Sequence, residues 1–159
     1  MPELAKTRDR LARRGGPPEA LREFLAFTLA GELYAVDLTR IREIVSPPPI
    51  TPVPRAAAEV LGVCSVRGQL VSILDLRVRL NLEAQPLSRR ARILLTEAES
   101  GEIMGLVVDE VRQVLRATEA EIEMAGSVLG GDISDCFLGI GRMSAGSVIF
   151  LDLGAIVDR

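Results

Sequence analysis

Histidine is absent from this 159-residue chain. That removes the commonest general base, the commonest metal ligand and the usual physiological pH switch together. Tryptophan is absent as well, and aromatic residues make up 3% of a sequence that is 48% hydrophobic. The core is therefore aliphatic, and a stacking platform for single-stranded nucleic acid lacks its aromatic faces. A net charge of −3 gives no electrostatic case for DNA or RNA. No apolar run reaches the ~20 residues needed to cross a bilayer. The charged start (Glu3, Lys6, Arg8, Asp9, Arg10) lacks the apolar segment of a secretory signal. The expectation is a cytoplasmic protein without direct membrane insertion, its two cysteines, Cys64 and Cys136, reduced. Cys64 lies in an apolar strand pattern with nothing to activate it, so it reads as a buried thiol.

What is present is an internal echo. Leu61-Gly62-Val63 leads through Gly68 to Leu74-Asp75-Leu76, and Leu138-Gly139-Ile140 leads through Gly146 to Leu151-Asp152-Leu153. Before each, Gly31-Glu32-Leu33 runs to Ile41-Arg42-Glu43-Ile44-Val45, and Gly101-Glu102-Ile103 runs to Val111-Arg112-Gln113-Val114-Leu115. The two halves keep the same order at offsets of 70 and 77 residues. Neither copy carries a set of residues with catalytic character, and no cofactor motif appears. Gly130-Gly131-Asp132 and Gly139-Ile140-Gly141 lack the strand–loop–helix setting of a phosphate loop. A duplicated β unit without chemistry points to a surface that binds other proteins.

Residues 1–23 carry six basic and four acidic side chains, about +2, and end in Gly15-Gly16-Pro17-Pro18 and a short polar stretch. They read as a flexible basic tail, with a partner-docking helix as the alternative. From Phe24 the pattern is strand-like. Phe24–Leu29 and Leu33–Asp37 form a hairpin around Gly31, Val60–Arg67 and Gln69–Asp75 a second around Gly68, Ile93–Thr96 and Ile103–Val108 a third, and Phe137–Ile140 and Ser147–Leu151 the last. Val111, Val114 and Leu115 read as a continuation of the third hairpin. Leu38 to Val45 has helical spacing, Ala56 to Glu59 reads as one helical turn, and Ile50 to Pro54 as an extended connector. Short helices follow at Leu76–Leu82 and Leu153–Val157. Ala125 to Asp135 is glycine-rich and irregular. Some ten short strands without long crossover helices favour barrels over a parallel sheet. The predicted fold is mainly β: two five-stranded barrel halves, residues 24–85 and 86–158, with exchange of strands between them left open.

Several residues admit two roles. Arg67 stands at a hairpin tip, where its guanidinium serves either the turn or a partner carboxylate. Gly62 and Gly68 fit positive φ or close backbone approach. Ile41, Ile44 and Val45 read as a core stripe. Asp37, Asp75, Asp109 and Asp152 each end an apolar strand, and the repeat predicts four equivalent caps rather than a carboxylate cluster.

The run Gly62-Val63-Cys64-Ser65-Val66-Arg67-Gly68-Gln69-Leu70-Val71-Ser72-Ile73-Leu74-Asp75-Leu76-Arg77 resembles the CheW family, the coupling proteins of bacterial chemosensory arrays. So do Tyr34-Ala35-Val36-Asp37, Ile41-Arg42-Glu43-Ile44, Ile50-Thr51-Pro52-Val53-Pro54 and Gly105-Leu106-Val107-Val108-Asp109, in that order along Phe24 to Asp158. Ser65 and Ser72 stand where the family commonly has Asn and Pro. The resemblance implies two SH3-like barrels sharing an apolar seam, and a non-catalytic adaptor without cofactor or metal. Its implied partners are the cytoplasmic tip of chemoreceptors and the regulatory domain of a CheA-type histidine kinase. It places Ile41, Glu43, Ile44, Gly62, Val66, Arg67 and Gly68 along the receptor- and kinase-binding face, with Val107, Val108 and Val111 on the other side of the seam. Flagellar taxis is the leading pathway, and surface motility or second-messenger control the alternative.

Overall fold

A computed structural model describes residues 20–123 and 135–158. The expectations for the basic tail and for the glycine-rich stretch therefore lie outside the described residues, apart from their last few positions. Among the described residues are eleven strands: β1 (Arg22–Leu29), β2 (Glu32–Asp37), β3 (Ile41–Val45), β4 (Val60–Val66), β5 (Gln69–Asp75), β6 (Arg92–Glu97), β7 (Ile103–Val108), β8 (Glu110–Ala117), β9 (Ile122–Glu123), β10 (Phe137–Met143) and β11 (Gly146–Leu151). Two short helices follow strands, α1 (Leu76–Arg79) after β5 and α2 (Leu153–Val157) after β11. The first strand begins at Arg22, two residues before the sequence pattern places it.

The strands form two sheets, in the orders β8-β1-β2-β11-β10-β9 and β3-β6-β7-β5-β4. Each has five full strands, and β9 adds two residues to the first. The fold is mainly β and SH3-like, with open ladders rather than closed barrels. Neither sheet is built from one half of the chain. The first combines β1 and β2 with strands after residue 100, and the second combines β3, β4 and β5 with β6 and β7.

The echo in the sequence explains this arrangement. Every strand pairing of the five-stranded sheet recurs in the other, with β1 displaced by 69 residues from β6, β2 and β8 by 70 from β7 and β3, and β10 and β11 by 77 from β4 and β5. The parallel ladders among the described strands are β5 with β7, which includes Ser72↔Met104 and Ile73↔Gly105, and β11 with β2, through Ile149↔Tyr34 and Phe150↔Ala35. The two β11–β2 pairs are those two β5–β7 pairs displaced by one repeat. Parallel neighbours require a crossover rather than a hairpin, and here reciprocal exchange between the halves supplies it. The ladder irregularity between Val60 and Gly62 recurs between Phe137 and Gly139. The bridge Thr51↔Val63 recurs as Glu123↔Ile140.

Central strands are buried on both faces, which is why Phe24–Leu29 is almost continuously apolar rather than alternating. Phe24 and Ala26 point into one sheet's interior with Val148 and Phe150. Leu25, Phe27 and Leu29 point the other way, into a central cluster that also holds Leu74, Leu94, Leu106 and Leu151. The second sheet has its own interior of Cys64, Val71, Ile73, Ile93, Leu95 and Val107. Phe24 packs edge-on against Phe150 at 4.8 Å, and Phe27 stacks on Tyr34 at 6.2 Å. The scarce aromatics are thus committed to packing, which leaves none of these four for stacking on bases.

Three sequence expectations are corrected. The stretch Leu38 to Val45 is not a helix: Leu38–Arg40 is a single 3₁₀ turn, and Ile41–Val45 is a strand paired with β6. Two isoleucines and a valine favour the extended form. Ala56 to Glu59 forms turns, with the Val60 amide bonded to the Ala57 carbonyl at 2.9 Å. Val111, Val114 and Leu115 do not continue the hairpin of β6 and β7, because the chain turns at Asp109 and β8 joins β1 in the other sheet.

Candidate functional site

The β4–β5 hairpin closes through Arg67 (φ 52°) and Gly68 (φ 80°). Two consecutive positive φ values match a primed two-residue turn, whose twist suits the flanking strands. Asn-Gly is the usual choice for such a turn. An arginine in the left-handed region carries a steric cost, which Ala30 also bears at the equivalent turn of the β1–β2 hairpin.

The Arg67 side chain reaches across the end of the sheet. Both terminal nitrogens of the Arg67 guanidinium donate to the two carboxylate oxygens of Glu43, a bidentate fork. Glu43 sits on β3, at the opposite end of the strand order from β4. The ionic pair therefore stitches together two edges that the backbone ladder leaves apart. Beneath it lies a small cavity of about 150 Å³ lined by Arg42, Val66, Gln69, Val71, Leu95 and Ile103. Ile44, next to Glu43, is 40% exposed, and Leu70, two residues past Gly68, is 71% exposed. A charged clasp flanked by bare aliphatic side chains suits recognition of another protein.

The bonds from Arg67 hold the Glu43 carboxyl below its ordinary value of 4.5. A lowered carboxyl pKa stabilises the pair at pH above that value and loses the contribution as pH falls through the lowered pKa. Glu43 is therefore expected to titrate below 4.5 in an NMR pH series, and to move back towards 4.5 in Arg67→Gly. Coincident titration curves for the two proteins would remove the clasp from the account.

The other site residues divide by burial. Ile41 and Val111 occupy equivalent places, one repeat apart, each half-buried against the central cluster. Val66 packs on the interior of the five-stranded sheet. Gly62 is buried at the far end of β4 from Arg67, with φ 149°. A Cβ there would lie 2.1 Å from the Thr51 carbonyl oxygen. The absence of a side chain there permits close backbone approach. Val107 and Val108 are 4% and 0% exposed, in different clusters on opposite faces of β7. Both are packed in the sheet interior, with Val107 also lining a small pocket beside Arg77 and Asp109.

The strand-ending aspartates are not four equivalents. Asp37, Asp75 and Asp152 each accept an amide bond from a residue two or three positions on, capping a short turn or helix. Burial would raise the Asp37 carboxyl, but bonds from Thr39 and Arg22 outweigh it and hold it below its ordinary value. Asp109 instead pairs with Arg77. Cys64 is buried, and burial pushes its thiol pKa up, which keeps it protonated and unreactive. Sequence reasoning named Glu43 and Arg67 separately but not as a pair. It also passed over Leu70, although Val71 and Ile73 facing inward on β5 place Leu70 outward by alternation.

Relatives share this framework. The chemotaxis protein CheW of Helicobacter pylori is 28% identical over 141 residues, covering 89% of this chain and 84% of that one. That of Bacillus subtilis is 28% identical over 137 residues, covering 86% and 87%. That of Rhizobium meliloti is 34% identical over 102 residues, 64% of this chain and 65% of that one. The crystal structure of the scaffolding protein TtCheW from Thermoanaerobacter tengcongensis superimposes with a TM-score of 0.78 at 26% identity, over 88% of this chain and 90% of that chain. Since the model of the CheW-like domain also matches residues 23–159, from the first strand to the last residue, the chain belongs to the CheW-like family.

Proposed function

We propose that this chain is a non-catalytic scaffold of bacterial chemotaxis, coupling chemoreceptors to a CheA-type histidine kinase. The observation that carries the reading is the Arg67–Glu43 clasp, placed in a strained turn beside exposed Ile44 and Leu70. A receptor tip is a helical hairpin, and a helix lays its apolar face into an aliphatic groove with charged residues at the rim. Glu43, Ile44, Arg67 and Gly68 supply the contact, with Val66 and Ile41 behind them and Val111 across the seam. Gly62, Val107 and Val108 act as supports. The regulatory domain of the kinase takes a second face. The adaptor's contribution is a coupling free energy between the two bound partners.

Among the described residues no helix is long and apolar enough to cross a membrane. Residence in the cytoplasm, at the receptor array through its partners, fits that reading. A relative named otherwise, Protein PilI of Pseudomonas aeruginosa, is 33% identical over 87 residues but covers 55% of this chain. The chemotaxis proteins of Helicobacter and Bacillus align over far more of it, which favours the chemotaxis reading.

The test is a pull-down of the tagged protein from its own cells, with mass spectrometry. Recovery of a CheA-type kinase with a methyl-accepting receptor is expected. Recovery of neither, at native abundance and gentle salt, would defeat the proposal.

A further inference from the structure

Besides the Arg79–Ala155 carbonyl contact at 3.4 Å and the Arg90–Glu110 pair at 2.9 Å, two carboxylate-centred joints link the sheets, and they are unequal. At the first, Arg77 of α1 donates from Nε to Asp109 Oδ1 at 2.9 Å and from Nη2 to Oδ2 at 2.5 Å. Its Nη1 donates to the Glu83 carbonyl at 3.1 Å, in the segment between the halves. The same Asp109 carboxylate accepts the Ala30 amide at 2.8 Å, at the β1–β2 turn. Arg77 extends from β5 of the five-stranded sheet, and Ala30 belongs to the other sheet. Asp109 is the single residue at which the chain passes from β7 in one sheet to β8 in the other. One carboxylate therefore holds both sheets and the crossing point. The pair is well covered, with side-chain exposures of 17% and 29%.

At the second joint Arg40 stands 4.0 Å from Asp158 and 3.4 Å from the Glu97 carbonyl, and it is 38% exposed. The internal repeat does not duplicate the first joint. At the offsets of 77 and 70, Arg77 corresponds to Gly154 and Asp109 to Thr39. Asp158 also accepts the Glu99 amide at 2.7 Å, as Asp109 accepts that of Ala30, but only Asp109 receives a two-pronged guanidinium fork as well. The looser side leads directly into β3, because Ile41 follows Arg40.

We infer that the Arg77–Asp109 joint fixes the relative orientation of the two sheets, and that Arg77 is a positioning residue for coupling between partners. The inference rests on the scaffold reading. A scaffold passes free energy between two bound partners only if its two faces keep a defined relation. A charge-assisted fork fixes direction as well as distance, which an aliphatic seam does not.

The test places spin labels at Leu70→Cys and Ala145→Cys, exposed positions on the equivalent hairpins of the two sheets. Cys64 and Cys136 are buried and out of reach of the label. In Arg77→Met, which keeps the apolar stem without the fork, the inter-label distance distribution is expected to broaden and shift. In the unlabelled variant each partner's separate affinity should change less than about threefold. The enhancement of one partner's binding by the other should fall about tenfold. If Arg77→Met fails to fold, Arg77→Lys keeps the charge without the fork, and the same broadening is expected. A wild-type distance distribution in a folded variant would overturn the inference. The label distances need no partner, so a chain that binds neither receptor nor kinase sinks the scaffold reading and leaves the joint still measurable.

Discussion

Reversing the charge at Arg67 is expected to abolish most partner binding while leaving the fold intact. In Arg67→Glu the fork to Glu43 is lost and two carboxylates face each other at the hairpin tip. Receptor affinity should fall by ten- to a hundredfold, roughly the effect of losing a central charged contact. The melting temperature should move by a few degrees at most, because exposed ion pairs add little to stability. Arg67→Gly separates contact from strain. It removes the side chain and relieves the left-handed backbone, so binding should fall while the melting temperature holds or rises. The swap Glu43→Arg with Arg67→Glu rebuilds the pair in reverse. Partial recovery of binding in the swap would assign the loss to the clasp's geometry, and no recovery would assign it to a partner carboxylate that reads Arg67 itself. Thermal unfolding and titration calorimetry on the same preparations decide. A large loss of stability with binding intact would make Arg67 a folding residue.

Gly62→Ala is expected to have the opposite profile, a loss of stability of about 3 kcal/mol, equivalent to roughly 10 °C in melting temperature. The added Cβ would lie 2.1 Å from the Thr51 carbonyl oxygen, 2.7 Å from its carbon and 2.9 Å from Pro52 Cα. All three atoms are backbone, so no side chain can swing aside. The segment must move, and with it go the Thr51–Val63 amide bonds of 2.8 and 2.9 Å. Gly68→Ala is the control. Nothing lies within 4 Å of its Cβ position, so only the positive φ is penalised, at about 1 kcal/mol. Urea unfolding of the two variants side by side checks the difference. Equal losses would mean that backbone strain, not close approach, sets the requirement at position 62.

The hairpins were legible because glycine-bearing turns separate runs of apolar residues, and the echo made each prediction twice. The short helices after Asp75 and Asp152 were legible from their caps. What the pattern could not carry was the partnering of strands. Ile41–Val45 mimics a helical stripe because Leu38, Ile41, Ile44 and Val45 happen to fall three or four apart, and only pairing with β6 decides the outcome. The short Gly105-Leu106-Val107-Val108-Asp109 run gives no sign that the chain changes sheets at the aspartate. The clasp joins residues 24 positions apart, and no local periodicity links a hairpin tip to an edge strand. Val107 and Val108 entered the candidate face through the family resemblance, which does not tell an inward side chain from an outward one. The structure buries them on opposite faces of β7.

The most direct test of the scaffold reading is reconstitution from purified parts. A receptor-tip fragment on beads is mixed with a CheA-type kinase, with the wild-type chain, with Arg67→Glu, or with neither. The account predicts that the kinase is retained on the beads only when the wild-type chain is present. Equal retention of kinase without the chain, or with Arg67→Glu, would contradict it.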